Sequence, residues 1–381
     1  MTGRSMQPPT RRALLGGLAA ALATRRVAAR PAAPGFRGIY AAPPPLFDER
    51  RSFPDAVYAA EAVSGVYVRL VWSAVAPRPG AYDFRLLDRE LGRAVAAGKR
   101  VSLSVIAGAY APAWLPERGV RTLRFALGRG GANRSCLPVQ VGVPWDSGYQ
   151  AAFLDLWSAL AERVRATPGG LEAVRIVKLT GVNQFTEEFR MPAGTGLRDD
   201  VCGRTDETAA WLAEGYRPAR VVEAWTRMAA GIAERFPGTL LALDVLERND
   251  VPPVDDAGAP TRDPPVKPRL IAEGRRRFGG RFAVQWNGLT AAGPLADTVL
   301  AARAGGTVIG WQSNAFRGLE GAGCNAARNA APAACDTGGF GAILRRGVET
   351  GASYLEVWAP DVLQFPAEVA AADAALRAGD G

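Results

Sequence analysis

An α/β fold of eight strand–helix units closed into a single (β/α)8 barrel is predicted from three observations. From about residue 36 onward, short β-rich runs alternate with longer segments of helical period, the signature of a parallel sheet crossed by helices. The strand candidates number eight. Connections entering the strands are short, whereas those leaving the third, fourth, fifth and seventh are long, so one face carries all the elaboration. With 381 residues, 48% of them hydrophobic and 22% charged, the chain can bury a large core.

The expected strands span 38–41, 66–72, 101–107, 174–180, 240–245, 282–286, 307–311 and 353–358. Several are unbroken apolar runs, as strands covered on both faces should be. Between them, amphipathic segments at 86–95, 149–166, 219–236, 294–304 and 367–376 repeat apolar residues at three and four. Gly98, Gly238, Gly280, Gly305 and Gly351 fall just ahead of strands, where turn and helix-ending glycines belong. An open doubly wound sheet is the competing topology, but no Gly-x-Gly-x-x-Gly follows the first strand. The Pro/Asp-rich stretch 249–265 is too short and too internal for a linker. Residues 36–381 therefore read as one domain without internal repeats.

Ahead of that domain lies a segment of different character. Thr10-Arg11-Arg12-Ala13-Leu14-Leu15 is followed by an apolar run through Ala23 and then by small residues, so residues 1–29 resemble a twin-arginine export signal. The run is too short to span a bilayer, and no other segment qualifies. Export to the periplasm or beyond is the expectation. Cys136, Cys202, Cys324 and Cys335 fit an oxidising compartment as two disulfides, with 324–335 and 136–202 favoured among the three pairings. Six of the nine net positive charges lie in residues 1–30, which hold six arginines and no acid, leaving about +3 for the remainder. With no basic stripe interleaved with aromatics, nucleic acid is not an expected partner.

The chain contains no histidine at all. That removes Ser-His-Asp and Cys-His relays, histidine bases, and His-ligated zinc or iron. Acid–base chemistry at neutral pH then falls to carboxyl groups tuned by their surroundings, and no metal or organic cofactor is required.

Side chains suited to such chemistry gather where strands end. Trp72, Trp286, Trp311 and Trp358 close strands two, six, seven and eight, with Trp114 just past strand three. Indole faces beside polar groups suit pyranose rings, so Trp72, Trp114, Trp286 and Trp358 are candidate sugar platforms. Plugging the barrel mouth is the plainer role for each. Arg69, Asn183, Asn287 and Gln312 supply polar contacts on the same face, and Glu187, Glu188, Asp244, Glu247 and Glu356 supply acids. Glu356 lies in the apolar run Tyr354-Leu355-Glu356-Val357-Trp358, a costly place for an acid without a polar cavity or a partner such as Arg69. Strand alternation points Glu356 and Trp358 the same way.

Several of these stretches together resemble the first half of clan A retaining glycoside hydrolases. They are Val68-Arg69-Leu70-Val71-Trp72-Ser73, Pro79-Gly80-Ala81-Tyr82-Asp83-Phe84 with Leu87-Asp88, Gly98-Lys99-Arg100-Val101, and Pro112-Ala113-Trp114-Leu115. The resemblance covers about residues 36–190 and is supported further on by Trp358. It implies an acid/base glutamate directly after an asparagine at the end of strand four, and a nucleophilic glutamate at the end of strand seven. Asn183 matches the asparagine, but Gln184 follows it, and strand seven offers Gln312. A glutamine cannot act as a carboxylate nucleophile.

The expected pair is therefore Glu188 as general acid and Glu356 as second carboxylate, with Glu187, Asp244 and Glu247 as alternatives. Arg69 would orient one acid and keep it ionised, and Arg69, Trp72, Trp114, Asn183, Trp286, Gln312 and Trp358 would bind substrate. A wide gap between strands four and eight would suit inversion through a water, at roughly 6.5–9.5 Å. Hydrolysis of O-glycosidic bonds in a poly- or oligosaccharide is the leading function, and a catalytically silent glycan-binding barrel is the alternative that Gln312 suggests. A barrel enzyme of other chemistry is the third.

Overall fold

In the computed structural model the chain forms a closed eight-stranded parallel barrel. The structure describes residues 35–43, 52–129, 135–193, 206–247, 250–314 and 339–378. The predicted leader and Cys202, Cys324 and Cys335 lie outside these residues, as does the Cys136 side chain, so neither disulfide falls within them.

The barrel strands are β1 (Gly38–Ala42), β2 (Gly65–Val71), β3 (Arg100–Ile106), β6 (Val174–Lys178), β7 (Leu240–Val245), β8 (Phe282–Leu289), β9 (Val308–Ser313) and β10 (Tyr354–Trp358). They follow one another around the ring in chain order, and β10 closes on β1 through the pairing of Tyr40 with Glu356. All eight coincide with the expected runs. The seventh reaches two residues further than its apolar core suggested, which brings Gln312 into the sheet.

Two strands and the helices Val266–Phe278 and Gly339–Glu349 lie outside the expected segments. The long connection after the third barrel strand contains an antiparallel hairpin, β4 (Thr122–Arg129) with β5 (Ser135–Gly142). Helices such as Arg85–Ala96, Ser147–Ala166, Pro218–Arg235 and Val266–Phe278 return the chain to the start of the next strand. No helix among the described residues is long and apolar enough to cross a membrane.

The core divides according to which side of the sheet a residue faces. Outward residues such as Ile39, Val68, Leu103, Val177, Leu243, Val284, Ile309 and Leu355 pack under the helices in one large cluster. Inside the ring, Tyr40, Ile176, Leu240, Ala242, Ala283 and Tyr354 form a separate apolar plug toward the amino ends of the strands. Gly310 belongs to this layer because a Cβ there would collide with the Tyr354 ring. A third cluster, Ala42, Tyr67 and Trp358, lies toward the carboxyl ends. Everything between is polar.

Candidate active site

The polar interior follows from strand parity. Lys178 lies two residues after Ile176, Asp244 two after Ala242, Gln285 two after Ala283, and Glu356 two after Tyr354. Each therefore points inward, one layer above the plug. Gln285 is register partner to Asp244, and Gln312 to Glu356, so these groups are side by side.

Lys178 is fully buried and sits at the centre. Its Nζ lies 3.0 Å from Asp244 Oδ2 and 2.9 Å from Glu356 Oε1 and donates to Gln285 Oε1 at 2.7 Å. Glu356 also accepts from Ser102 Oγ at 3.1 Å, from Gln285 Nε2 at 2.8 Å and from Gln312 Nε2 at 3.0 Å. Four donors on two oxygens fill the acceptor capacity of that carboxylate. The expected arginine partner of Glu356 is replaced by a lysine.

Arg69 pairs with Glu187 instead, at 2.9 Å. Glu187 Oε1 accepts additionally from Asn287 Nδ2 at 3.0 Å and Gln312 Nε2 at 3.2 Å, while Oε2 is buried and has no partner. One oxygen is clamped and the other is bare. Oxygens of Glu187, Asp244 and Glu356 all lie within 4.8 Å of one another. Glu187 rather than Glu188 is the glutamate of this loop that joins Glu356 in the cluster, the loop after β6 folding it inward over the barrel mouth. Three carboxyls this close suit a divalent cation by distance alone, but the Lys178 ammonium already supplies the positive charge between two of them.

Electrostatics separate these acids. Burial alone would raise the Glu187 carboxyl, but Arg69 and then Lys178 outweigh it and hold it below the usual carboxylate range. Burial raises Asp244 well above that range; Lys178 opposes this, and Glu356 and Glu187 reinforce it. Asp244 is thus pushed toward its protonated form and Glu187 away from it. Burial also lowers the tendency of Lys178 to be charged, yet Asp244, Glu356 and Glu187 overcome this and keep it an ammonium. Glu188, half-buried beside the cluster, is raised first by burial and then by the Glu187 charge, and its buried Oε2 has no partner.

Asn183, in the loop after β6, shapes that loop. Its Oδ1 accepts from the backbone of Ala107 at 3.3 Å and Gly181 at 3.2 Å, and its Nδ2 donates to the Thr186 carbonyl at 2.8 Å. The loop is also braced from β3, where Ala109 N donates to the Gln184 carbonyl at 2.9 Å. Gly108, with φ +45°, lies so near this contact that a Cβ would overlap the Asn183 carbonyl. Glu247 is half-buried in the loop after β7, outside the carboxyl cluster, and its main-chain carbonyl accepts from Lys267.

The tryptophans part company. Trp358 faces inward, 5.8 Å from the Arg69 guanidinium, with Nε1 donating to the Ser313 carbonyl at 2.8 Å. Trp72 is fully buried against Tyr149 and Phe153 under the helices. Trp286 and Trp311 meet edge to face at 6.1 Å on the outer side of the sheet, and Trp311 donates to Thr350 Oγ1. Trp114, half-buried, donates to the Ala76 carbonyl at 2.9 Å. Among the tryptophans expected as platforms, only Trp358 shares the interior of the ring with the carboxyls.

Lys178, Gln285 and the Ser102 hydroxyl escaped the sequence reading. The signal for the first two was a polar residue in an apolar strand at the same parity as its inward neighbours.

No protein-family model matches the chain, and no curated protein matches it in sequence. Among solved structures it is similar to endo-glycoceramidase II from Rhodococcus sp., captured as a lactosyl-enzyme intermediate, at 15% identity and a TM-score of 0.45 over 85% of this chain and 73% of that one. It is similar to xylanase XynB from Paenibacillus barcinonensis at 12% identity and 0.45, over 85% of this chain and 84% of that one. It is similar to the cold-adapted β-galactosidase from Rahnella sp. R3 at 14% identity and 0.49, over 90% of this chain and 56% of that longer one.

Proposed function

We propose that the protein is a glycoside hydrolase that cleaves O-glycosidic bonds in a poly- or oligosaccharide, with Glu188 as general acid and Glu187 as the ionised carboxylate. The observation that carries this reading is the Glu187 carboxylate, clamped on one oxygen by Arg69, Asn287 and Gln312 and bare on the other, at the carboxyl end of a closed barrel. Its neighbour Glu188 is pushed the opposite way, and two carboxyls with opposed tendencies to ionise are what acid and base roles need. Glu356, whose acceptor positions are all filled, supports the site from beneath. Trp358 offers the indole face for a sugar ring, and Arg69 fixes Glu187 against it.

The twin-arginine-like residues 1–29 support an exported protein acting on carbohydrate in the periplasm or outside the cell. A second reading has its own observation. Asp244 and Glu356 are buried and tied to Lys178, and strand seven carries Gln312, as in a barrel that binds glycans without cleaving them.

The purified mature chain, tested for sugar release on a panel of polysaccharides and aryl glycosides, decides between them. Release by the wild type, lost in Glu187→Gln and in Glu188→Gln with both variants folded, is the expected result. Retained activity in both variants would remove this mechanism. Glycan binding without release would establish the silent barrel.

A further inference from the structure

The polar interior has a direction. Lysine can only donate and an ionised carboxylate can only accept, so an amide placed between them has one allowed orientation. Lys178 donates to Gln285 Oε1 at 2.7 Å, which turns the Gln285 amide nitrogen away from the lysine. That nitrogen donates to Glu356 Oε2 at 2.8 Å, to Asn287 Oδ1 at 2.7 Å and, at the longer distance of 3.3 Å, to Asp244 Oδ2. With its oxygen so occupied, Asn287 presents its own amide nitrogen to Glu187 Oε1 at 3.0 Å and, more weakly, to Asp244 Oδ2 at 3.4 Å. Gln285 and Asn287 are two apart on β8 and face inward together, whereas Trp286 between them faces outward.

We propose that Lys178, Gln285 and Asn287 form a one-way hydrogen-bond chain that fixes the donors around Glu187, and that all three are positioning residues of this site. Calling the result a device for catalysis rests on Glu187 being the reacting carboxylate; the chain itself does not. Reversing any link turns an oxygen lone pair toward Glu187. Lys178 thus acts on a carboxylate that its ammonium does not hydrogen-bond, through two neutral amides.

Other groups face Glu187 and bear on its ionisation. They are Tyr67 and Arg69 from β2, Lys178 from β6, Asp244 from β7, Glu356 from β10 and Glu188 beside it in the loop. A test must therefore break the chain without altering charge. Gln285→Met and Asn287→Leu do so, and Asn287 is only half-buried, so its replacement leaves the core packed.

The readout is the carboxyl titration of Glu187 in protein carrying carboxyl-13C glutamate, its resonance identified by its loss in Glu187→Gln. Each single variant is expected to raise the titration midpoint by about one pH unit, as loss of a donor to the charged form requires. Because the links are in series, the double variant should move it no further than Asn287→Leu alone. An unmoved midpoint in Gln285→Met, or additive shifts in the double variant, would overturn the chain. Should Gln285→Met fail to fold, the smaller and equally uncharged Gln285→Ala serves. It removes the Gln285 amide without adding charge, and must raise the midpoint for the proposal to stand. Asn287→Ser, which restores a hydroxyl donor, is expected to recover part of the shift. The titration is read on resting protein, so a wild type without glycosidase activity would refute the proposed function and leave the chain standing. If activity is present, the acid limb of kcat/KM should move with the Glu187 midpoint in each variant.

Discussion

The two faces of the barrel wall solve opposite problems with neighbouring residues. Gln285 and Trp286, Trp311 and Gln312, and Leu355 and Glu356 are adjacent pairs in which one side chain enters the polar interior and the other packs under the helices. On the outside, burial of indole and aliphatic surface stabilises the fold, at roughly 25 cal/mol per Å² removed from water. On the inside, burial works against the charges, and the cluster persists because each carboxyl has cations and amide donors within reach. A side chain's duty in this wall is set by parity along the strand, not by position near a strand end.

Four perturbations sharpen that contrast. The largest effect is expected from Glu187→Gln, which removes the clamped carboxylate while keeping its shape. If the proposed activity is present, turnover by the folded variant should fall about 10²–10⁴-fold, and the melting temperature at neutral pH should fall too, because the buried Arg69 loses its partner. Trp311→Ala, one residue from Gln312 but on the outer face, should affect stability alone. It costs stability of about 3–5 kcal/mol in denaturant unfolding, and per-molecule activity of the folded fraction stays near wild type. Loss of activity without loss of stability there would break the division between faces. If the proposed glycan binding is present, Trp358→Ala, on the inner face, should weaken it by about 1 kcal/mol in calorimetry, since the indole lies beside Arg69 inside the ring.

The smallest effect concerns pH. Asp244 holds its proton more tightly folded than unfolded, so its contribution to stability is fully present below its unfolded value near 3.9 and is lost as pH rises through the folded one. Glu187 runs the other way: its contribution is present above about pH 4.3 and is lost as pH falls through its depressed folded value. Melting temperatures followed from acid to alkaline pH should therefore show the alkaline decline reduced in Asp244→Asn and the acid decline reduced in Glu187→Gln. An alkaline limb identical in wild type and Asp244→Asn would mean that Asp244 is not held above the usual carboxylate range.

The fold was open to reading because each barrel strand is a short apolar run bounded by turn residues, a signal that is local. The strands Thr122–Arg129 and Ser135–Gly142 carry a different signal, alternation rather than an unbroken apolar run, because they pair with each other outside the barrel wall. At the site, Arg69, Glu187, Asp244, Gln312 and Glu356 were all nominated, and the structure brings them together. Which glutamate of the pair at 187 and 188 turns inward depends on how the loop after β6 is braced, and that is tertiary information. For the tryptophans, nearness to a strand end does not say which way each one points. Trp286 and Trp311 have the parity opposite to Gln285 and Gln312, which the sequence alone states.

Gly108 has a consequence for how such a site could change over generations. The loop bearing both glutamates rests backbone to backbone on the turn after β3, with no side chain in between to shorten or lengthen. A methyl group at 108 is the smallest step available to a protein gene, and it would already shift that loop by more than hydrogen bonds near 3 Å tolerate. Gradual adjustment of the two glutamates by substitution at 108 is therefore closed, and changes to their surroundings would have to come from the side chains above this contact.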